Sequence, residues 1–403
     1  MSILSGKNIL LGISGGIAAY KTASLVRLFV KSGAHVKVIL TPSAKDFVTP
    51  LTLSTLSKNS VYSSFVNEED GNAMWNNHVD LALWADLFVI APATANTLSK
   101  MANGTSNNLL LATYLSAKCP VYFAPAMDLD MYKHQSTKAS FDILQSYGNT
   151  IIPATSGELA SGLVGEGRMA EPEDIVAFIE NNVLKKLPLR EKKMLITAGP
   201  TYEAIDPIRF IGNHSSGKMG FEIAKAAANL GAEVILVTGP TNQNIKHSLI
   251  QVVPVVSAND MYQAVHQYFD QVDIAILSAA VADYKPKEVA LQKIKKAEAT
   301  LTLELEKTKD ILASLGKIKT HQYLVGFALE TQNELENAKN KLKRKNLDLI
   351  VLNSLNDKGA GFKTDTNKVT FIDVNKNVTE YQLKSKAEVA NDLLNKITEQ
   401  INA

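Results

Sequence analysis

The sequence predicts an α/β protein with two different domains, each a mainly parallel β-sheet with helices on both faces. Short apolar runs alternate with segments of helical spacing in both halves of the 403-residue chain. A basic stretch that contains Pro188 interrupts this alternation, which then restarts. Strands that alternate with helices through short connections are typical of parallel sheets. The halves share no extended identity, so we predict two different Rossmann-like domains and not a repeat.

In the first half, apolar runs are predicted to be strands, and the segments between them carry apolar residues at helical spacing. Helix 17–31 shows this spacing in Ile17, Tyr20 and Leu28, and Gly33 ends it. The strands are predicted at residues 7–13, 35–40, 87–92 and 121–126, with a further helical stretch at 109–117.

The second half begins after residues 183–193, which read VLKKLPLREKK. A polar, basic stretch around a proline is typical of a linker, so we predict domains at residues 1–189 and 190–403. The strands of the second domain are predicted at residues 193–199, 233–239, 273–280 and 347–353, and its helices at 218–230 and 331–345.

The composition of the chain argues against several classes of protein. Lys and Arg number 42 against 40 Asp and Glu, so a general nucleic-acid binder is not predicted. Cys119 is the single cysteine, which excludes a disulfide within the chain and fits a reducing cytosol. The first residues lack the pattern of a signal peptide, and no apolar run approaches the ~20 residues of a membrane span. We therefore expect a cytoplasmic protein without a nucleic-acid or membrane partner.

The turn after the first strand reads Gly12-Ile13-Ser14-Gly15-Gly16 and allows three interpretations. It matches G-x-S-x-G, the nucleophile elbow of α/β-hydrolases, although that elbow normally follows a central strand. It could also be a glycine-rich turn without a ligand. The third interpretation is a phosphate cradle, in which backbone N–H groups and the dipole of the next helix stabilise an anion.

A second polar cluster, which includes Thr94 and Asn96, follows strand 87–92. Ligands of open parallel sheets bind beyond the carboxyl ends of strands, where this cluster lies. Its small residues would let a planar ring approach, and its polar groups could bond the ring edge. A helix start capped by Thr94 or Asn96 explains the cluster equally well.

Four motifs of the first half, in order, resemble the flavin-dependent cysteine decarboxylases and, among them, the phosphopantothenoylcysteine decarboxylases. The motifs are SGGIAAYK at 14–21, ADLFVIAPATANTLSKMANG at 85–104, PAMDLDMY at 125–132 and GEGRMAEPE at 165–173. The resemblance implies FMN as cofactor and His78 as the catalytic histidine. It also implies that FMN contacts Ser14, Gly15, Gly16, Thr41, Ser43, Thr94, Ala95 and Asn96.

The implied chemistry oxidises the cysteine side chain, releases CO₂, and returns a hydride and a proton. The sequence departs from the family pattern at two positions that would act in it. Asp128 stands where the family has Asn, and an ionised Asp cannot donate a hydrogen bond to a substrate carboxylate. Asp128 should therefore be protonated, turned away or paired with a cation. Ser161 stands where the family has its cysteine proton donor, and a hydroxyl is a weaker acid than a thiol.

The second half contains Gly212-x-x-x-x-Gly217-Lys218, which is nearly a P-loop. Met219 replaces the hydroxyl residue that binds Mg²⁺, so a P-loop NTPase is not predicted, although an anion cradle at the start of helix 218–230 is compatible. Lys341 and Lys345 are four residues apart and share a helix face. Two like charges there repel unless an anion bridges them, which slightly favours a polyphosphate site.

Six further motifs resemble phosphopantothenate–cysteine ligases. They are TAGPT at 197–201, IDPIRFIGNHSSGKMG at 205–220, AAVADYKP at 279–286, KIKK at 293–296, GFALET at 326–331 and KRKNLDLIVLN at 343–353. The resemblance implies Mg²⁺, CTP as co-substrate, an acyl-cytidylate intermediate and a role for Asn213 in handling it. The CTP-binding residues it implies are Ser278, Ala279, Asp283, Lys293, Lys309, Asp310, Ile311, Leu312, Phe327, Lys341 and Lys345, with Lys293 also acting in catalysis.

Together the two resemblances imply a fusion of two enzymes of coenzyme A biosynthesis. Its substrates would be 4′-phosphopantothenate, L-cysteine and CTP, and its product 4′-phosphopantetheine. Because Ser161 replaces the cysteine, an active ligase with an impaired decarboxylase, or with a flavin-binding regulatory first domain, is the alternative. The resemblance also implies a homo-oligomer, with a dodecamer as the expected size.

Overall fold

The structure, a computed structural model, describes residues 2–67, 74–295, 301–330, 332–354 and 364–401. It divides into two compact units, Met1–Leu184 and Lys185–Ala403. Each unit is an α/β fold around its own sheet. No helix within the described ranges is both long enough and apolar enough to cross a membrane.

The first unit contains a six-stranded parallel sheet in the order β3-β2-β1-β6-β7-β8. Its strands are β1 (Asn8–Ile13), β2 (His35–Leu40), β3 (Val61–Tyr62), β4 (Val66–Asn67), β5 (Met74–Trp75), β6 (Leu87–Ala93), β7 (Val121–Pro125), β8 (Thr150–Ile151), β9 (Thr155–Glu158) and β10 (Val164–Arg168). Its helices are α1 (Thr22–Lys31), α2 (Pro50–Ser57), α3 (His78–Trp84), α4 (Ala95–Ala102), α5 (Leu109–Ser116), α6 (Leu129–Lys133), α7 (Gln135–Ser146) and α8 (Pro172–Lys185).

Helices cover both faces of this sheet because successive side chains of a strand point to opposite faces. Ile9 and Leu11 of β1 are fully buried in one core, where Phe29 of α1 packs. Leu10 is fully buried in the core on the other face, together with Leu110 of α5. The hairpin β9–β10 lies outside the sheet as an antiparallel pair.

The second unit contains an eight-stranded sheet in the order β15-β14-β11-β16-β19-β20-β22-β23, in which only the last two strands are antiparallel to their neighbours. Its strands are β11 (Lys193–Ala198), β12 (Tyr202–Ala204), β13 (Phe210–Gly212), β14 (Glu233–Thr238), β15 (Ile250–Pro254), β16 (Ile274–Leu277), β17 (Tyr284–Pro286), β18 (Leu305–Lys307), β19 (Tyr323–Glu330), β20 (Leu349–Ser354), β21 (Thr366–Asn367), β22 (Val369–Asp373), β23 (Val378–Glu380) and β24 (Lys384–Ser385). Its helices are α9 (Lys218–Asn229), α10 (Ala258–Phe269), α11 (Ile311–Ile318), α12 (Glu334–Arg344) and α13 (Lys386–Ile401).

The predicted fold class of two α/β units with mainly parallel sheets is confirmed. The predicted linker at 183–193 is wrong in extent, because α8 continues to Lys185 and β11 begins at Lys193. Between them, Leu189 is fully buried in the core of the second unit, and its N–H donates to the carbonyl of Leu230. Leucines that are spaced among charged residues can pack one side of such a segment into a core, and the average polarity of the segment does not reveal them.

Two candidate active sites

Cavity A, of about 460 Å³, lies beyond the carboxyl ends of β1, β2 and β6 in the first unit. Its position agrees with the rule for ligand sites in open parallel sheets. Lys100, Asn107, Asn108 and Met127, which the sequence did not suggest, also line it. Six of the eight predicted FMN contacts line this cavity: Gly15, Thr41, Ser43, Thr94, Ala95 and Asn96.

Ser14 and Gly15 join the loops that form cavity A. The Ser14 hydroxyl donates to the carbonyl of Pro92 at 2.7 Å and accepts from the N–H of Thr94 at 3.0 Å. A Cβ atom on Gly15 would lie 2.6 Å from Cβ of Ser43 and 2.9 Å from its backbone. Glycine is therefore required at position 15 for the loops after β1 and β2 to meet.

The helix N-terminus at cavity A belongs to α4, because Ala95, Asn96 and Thr97 of its first turn line the cavity. Thr94 precedes α4 without a side-chain cap bond, so capping does not explain this cluster. The predicted helix 17–31 instead begins as a short 3₁₀ helix, Ile17–Lys21, and α1 starts only at Thr22. The helix whose first turn lines cavity A is therefore α4 and not the predicted helix 17–31.

Cavity B, of about 500 Å³, brings together the two positions at which the sequence departs from its family. Asp128 and Ser161 both line it, and the Ser161 hydroxyl donates to the Asp128 carboxylate at 3.0 Å. The N–H of Leu129 donates to the same oxygen at 2.7 Å, since Asp128 caps α6. The described contacts of Asp128 match none of the three expected states by themselves: its carboxylate accepts from two neighbouring donors and still lines the cavity. Gly16 lines this cavity too, and so does Glu158.

A buried lysine connects the first and last motifs of this unit. Lys21 is 6 % exposed, and its ammonium donates to the carbonyl of Met169 at 3.1 Å and to Glu171 at 2.9 Å. Arg168 donates to the same carboxylate oxygen at 2.8 Å. The bond from Lys21, more than any other contact, holds the pKa of Glu171 below its ordinary value. A lysine within an apolar helical pattern was the sequence signal for this contact, and sequence reasoning missed it.

His78 lines neither cavity A nor cavity B. It begins α3, where Asn77 accepts from the N–H of Val79 at 3.0 Å. Its ring contacts Phe65 edge-on, with centroids 6.3 Å apart. Within the described chain its Nδ1 atom is buried without a hydrogen-bond partner. The structure therefore does not bring the predicted catalytic histidine to the other predicted residues in a single copy.

Cavity C, of about 700 Å³, lies at the carboxyl ends of β16 and β19 in the second unit, next to α11 and α12. Asn213 lines it, and the Asn213 amide donates to the carbonyls of Ala280 at 3.0 Å and Val281 at 3.2 Å. Nine of the eleven predicted CTP contacts line this cavity: Ala279, Asp283, Lys309, Asp310, Ile311, Leu312, Phe327, Lys341 and Lys345. Residues as far apart in sequence as 213 and 345 thus meet in one place.

The two lysines on the shared face of α12 are held differently. Lys345 bonds both carboxylate oxygens of Asp310, at 2.9 and 2.8 Å, so Asp310 supplies the anion that the like charges need. Lys341 donates to the carbonyl of Phe327 at 2.9 Å. Burial, followed by the charge of Lys345, lowers the pKa of Lys341. An anion that enters cavity C would therefore meet a partly dehydrated cation.

Asp310 and Lys309 stand at the start of α11. Burial acts to raise the pKa of Asp310, but bonds from Lys345 and from the N–H of Ala313 outweigh it, and the pKa lies below its ordinary value. Asp310 therefore remains an ionised cap for α11. The Lys309 ammonium lies 4.6 Å from the centre of the Tyr262 ring, a cation–π contact that orients it.

Two predicted residues lie outside cavity C. Lys293 is exposed and does not line it, and Lys296 of the same KIKK motif lies outside the described residues. Ser278 lines the adjoining cavity D, of about 140 Å³, which shares Ala279 and Phe327 with cavity C.

Cavity D lies at the glycine-rich loop, for which the sequence predicted an anion cradle. Ser215 and Ser216 line it at the start of α9, where Gly217 has a φ of +77° that favours glycine. Lys386, which is 4 % exposed, also lines this cavity, and sequence reasoning missed it. Among the residues that the structure describes, no cluster of three or more His, Cys, Asp or Glu side chains could hold a metal ion.

Comparison with known proteins identifies the family. Residues 2–184 match the family model "Flavoprotein", and residues 189–401 match "DNA/pantothenate metabolism flavoprotein C-terminal domain". The coenzyme A biosynthesis bifunctional protein CoaBC of Bacillus subtilis (strain 168) is 46% identical over 397 residues, which cover 98% of this chain and 97% of that protein. The chain belongs to the bifunctional CoaBC family. Members of this family are bifunctional enzymes, so the predicted fusion of two enzymes is confirmed.

Two other similar proteins complete the comparison. A cysteine/cysteine sulfinic acid decarboxylase from an unknown prokaryotic organism is 54% identical over 355 residues, covering 87% of this chain and 98% of that protein. The crystal structure of the C-terminal domain of a CoaBC protein is 45% identical, covers 54% of this chain and 99% of that chain, and has a TM-score of 0.46. The name of the first of these relatives describes decarboxylation of cysteine or cysteine sulfinic acid.

Proposed function

We propose that the second unit ligates 4′-phosphopantothenate to L-cysteine with CTP and Mg²⁺, and that the first unit decarboxylates the product with FMN to give 4′-phosphopantetheine. The observation that carries this proposal is cavity C, where nine of the eleven residues expected to bind CTP converge from distant parts of the chain. Family membership supports both activities on one chain. Residues 1–184 are proposed as the decarboxylase and residues 185–403 as the ligase.

The residues of cavity C fit a nucleoside triphosphate. Lys309, Lys341 and Lys345 place positive charge where negative charge builds on the phosphates during attack by the substrate carboxylate. Mg²⁺ usually keeps several waters and takes one or two carboxylates besides phosphate oxygens. Asp283 is the carboxylate of cavity C that would hold it, because Asp310 is engaged by Lys345.

Asn213 and Lys293 divide the two half-reactions in this proposal. Lys293 would neutralise the phosphates during formation of the acyl-cytidylate. Asn213, fixed by the carbonyls of Ala280 and Val281 at the wall of cavity C, would orient that intermediate for attack by the cysteine amine. Cavity D adjoins the same wall and offers a helix N-terminus and Lys386 to an anionic part of a substrate.

The residues of cavity A fit FMN. The close approach of Gly15 to Ser43 joins two loops that line the cavity, and the N-terminus of α4 would stabilise the phosphate. FMN, when bound, supplies the two-electron chemistry that decarboxylation of a β-thio acid requires. Ser14 holds the backbone of Thr94 in place, and Asn96 would hydrogen-bond the ring or phosphate. Cavity B, with Asp128 and Ser161, is proposed to hold the cysteine part of the substrate.

The contact between Ser161 and Asp128 changes how the product carbon would be protonated. In the observed contact the Ser161 hydroxyl donates to Asp128, so it would have to leave Asp128 to donate a proton to the product. Either Ser161 relays a proton from water, or Glu158 in the same cavity donates it. His78 would act as base or orient the substrate carboxylate if a neighbouring copy completes the site.

A second candidate substrate for the first unit is free cysteine or cysteine sulfinic acid. The 54%-identical relative carries that name, and the carboxylate of Asp128 in cavity B favours a substrate with a positive charge. A free amino acid has an ammonium group, which a carboxylate binds well, whereas cysteine in phosphopantothenoylcysteine has only a neutral amide nitrogen. A ligase with an impaired decarboxylase or a flavin-binding regulatory first unit is the third candidate.

The deciding experiment incubates the purified full-length chain with phosphopantothenate, cysteine, CTP and Mg²⁺ and identifies products by mass spectrometry. We expect pyrophosphate release and then 4′-phosphopantetheine, with ATP as the control nucleotide. A parallel incubation with free cysteine or cysteine sulfinic acid tests the second candidate. Ligation without loss of CO₂ from either substrate would support the third candidate.

Variants test the proposed division of roles in the ligase. Lys293→Gln should abolish acyl-cytidylate formation, whereas Asn213→Asp should let the intermediate accumulate. Lys345→Gln should mainly raise the KM for CTP, by about tenfold or more, as expected for loss of a bond to a charged group. Equal loss of pyrophosphate release in Asn213→Asp and Lys293→Gln would contradict this division.

We also propose a homo-oligomer, with a dodecamer as the expected size. Large apolar side chains near cavity B support it, since Ile17 and Tyr20 are each 59 % exposed. Such side chains in contiguous patches typically mark protein interfaces. Mass measurement in solution tests the size.

A further inference from the structure

Lys100 is a lysine of α4 to which none of the roles above assigns a partner. It is half-buried and lines cavity A, and it is the single charged side chain among the described residues that do so. Within the described chain its ammonium forms no hydrogen bond and no ion pair. An ammonium that has lost part of its water is stabilised by a nearby anion, and the described protein supplies none here. An unpaired lysine at a cavity wall therefore favours an anionic group on the ligand.

The position of Lys100 on α4 decides which part of a ligand it can meet. Asn96, Thr97 and Lys100 all line cavity A, as expected for residues three and four positions apart on one helix face. Leu98 and Met101 of the same helix are instead buried in the hydrophobic core. Both the first and the last turn of α4 therefore lie at the cavity wall.

The side chain of Lys100 can reach back toward the start of α4. Side chains of an α-helix lean toward its N-terminus, and Ala95, the first residue of α4, lies about 7.5 Å from Lys100 along the helix axis. The flexible four-carbon stem of a lysine covers most of such a distance. Thr94 does not cap α4 with its side chain, so the N–H groups of the first turn remain available. These N–H groups and the Lys100 ammonium can therefore act on the same bound anion.

We propose that Lys100 is the counter-ion of the FMN phosphate in cavity A. This inference rests on the proposed binding of FMN by the first unit and deepens it. A phosphate monoester carries a charge of about −1.5 to −2 at pH 7, whereas a helix N-terminus offers only about +0.5. Lys100 supplies most of the charge that the helix leaves unmatched, because lysine binds phosphate as a point charge. No carboxylate among the described residues of the cavity wall competes for it.

The first test compares the binding of FMN with that of riboflavin, which lacks the phosphate, to the full-length chain freed of flavin. The measurement is the Kd from quenching of flavin fluorescence. In Lys100→Gln we expect the Kd for FMN to rise about tenfold or more, as for loss of a bond between charged groups, and the Kd for riboflavin to change less than about twofold. Lys45→Gln is the matched control and should bind both flavins as the wild type does. Lys45 lies in the 3₁₀ turn Pro42–Asp46 beside Ser43, but it is exposed and does not line the cavity.

The second test varies the ionic strength, because salt screens a partly exposed charge pair more than it weakens the contacts of an uncharged ring. Between about 0.1 M and about 1 M salt, the wild-type Kd for FMN should rise more than the Kd for riboflavin. Lys100→Gln should lose most of that difference, whereas Lys45→Gln should keep it.

The outcomes separate the phosphate contact from other roles of Lys100. Equal loss of FMN and riboflavin in Lys100→Gln would overturn the inference, since that pattern describes a contact with the ring or a merely structural lysine. An unchanged Kd for FMN in this variant would overturn it as well. A wild-type chain that binds both flavins equally would reject the phosphate contact and leave flavin binding intact. A wild-type chain that binds neither flavin would instead refute the function proposed for the first unit.

Discussion

Asp128 and Ser161 lie 33 positions apart in the chain and share a hydrogen bond of 3.0 Å. Either residue alone is a single departure from a motif, but in contact they form one altered wall of cavity B. In this wall the Ser161 hydroxyl donates to Asp128, and the Asp128 carboxylate stands where the family motif has an amide. The change therefore concerns both the proton donor and the charge that a substrate meets.

We predict that the wild-type chain completes the decarboxylation of phosphopantothenoylcysteine and that Ser161→Cys is at least as fast, because a thiol is the stronger acid. A factor of ten in rate corresponds to about 1.4 kcal/mol, so a weaker but well-placed donor can suffice. The measurement is anaerobic turnover, with flavin absorbance followed together with product mass. Reduced flavin that accumulates with an ene-thiol product in the wild type would refute the prediction.

Asp128→Asn separates the two candidate substrates of the same cavity. The amide can accept from Ser161 and Leu129 as the carboxylate does, and it can also donate to a substrate carboxylate. We expect this variant to turn over phosphopantothenoylcysteine at least as fast as the wild type. Any activity on free cysteine should fall, because the ammonium loses its partner. Unchanged rates on both substrates would show that Asp128 does not contact the substrate.

A different residue, His247, should make the second unit sensitive to acid. It is 8 % exposed, its Nδ1 accepts from the N–H of Leu249 at 3.1 Å, and its Nε2 is buried with no partner in the described ranges. Burial lowers its pKa in the folded state. The unfolded chain therefore binds a proton more readily, and stability falls as the pH drops below about 6.5.

We predict that His247→Asn reduces this loss of stability, because Asn can still accept from Leu249 but does not titrate. The measurement is the urea midpoint of the second unit at about pH 7 and about pH 5.5. His321→Asn, at an exposed position, is the control and should keep the wild-type difference between the two pH values. If His247→Asn shows the wild-type difference as well, His247 is not the acid-sensitive group.

At the scale of elements, sequence patterns predicted most of the long buried strands, but they missed the eight-residue strand β19 and the short strands. The apolar runs of β1, β6 and β14 were predicted because most of their residues are buried. Strands of two or three residues, such as those of hairpin β12–β13, give too few positions for a period to show. The predicted helix 17–31 has the expected spacing, but hydrogen bonding changes along it, and apolar spacing does not distinguish a 3₁₀ turn from an α-helical turn.

The residues of the candidate sites were likewise partly predicted from the sequence and partly missed. Motif resemblance named most of the predicted residues that line cavities A and C, because each of them belongs to a short stretch of sequence that can be compared without knowledge of the fold. It also named Lys293, which the structure leaves exposed and outside cavity C, because the position of this residue depends on tertiary contacts such as that of Asp206 with Ile294. It also missed Lys21 and Lys386, whose partners lie in other motifs or elements.

The loop at Gly15 gives a prediction at this scale. Gly15→Ala should remove most of the bound flavin, because its Cβ would lie 2.9 Å from the backbone of Ser43 and push the loops after β1 and β2 apart. Gly16→Ala is the matched comparison, since its Cβ would meet only the Thr94 methyl group, at 3.3 Å, and should keep more flavin. The measurement is the ratio of flavin to protein absorbance after purification. Equal ratios for the two variants would contradict the role given to Gly15.

At the scale of the whole molecule, the two units should fold separately, but the boundary matters. The basic composition of residues 183–193 suggested that a second domain could begin at residue 190. The structure instead gives the second unit residues from Lys185 onward, with Leu189 fully buried in its core. Leu187 packs against Gly231, where an added Cβ would lie 2.9 Å from Cβ of Leu187.

We predict that residues 185–403, expressed alone, form a colourless active ligase that is more stable than residues 190–403. The shorter fragment loses the burial of Leu189 and its bond to the carbonyl of Leu230, and fully burying one leucine contributes about 1.5–3 kcal/mol. Urea unfolding should therefore separate the two fragments by about 2 kcal/mol or more. Leu189→Ala in the longer fragment should bring its stability close to that of the shorter one, whereas Lys186→Ala, on an exposed side chain, should not. Equal stability of the two fragments would show that residues 185–189 are a linker after all, and that the second unit begins where the polar composition first placed it.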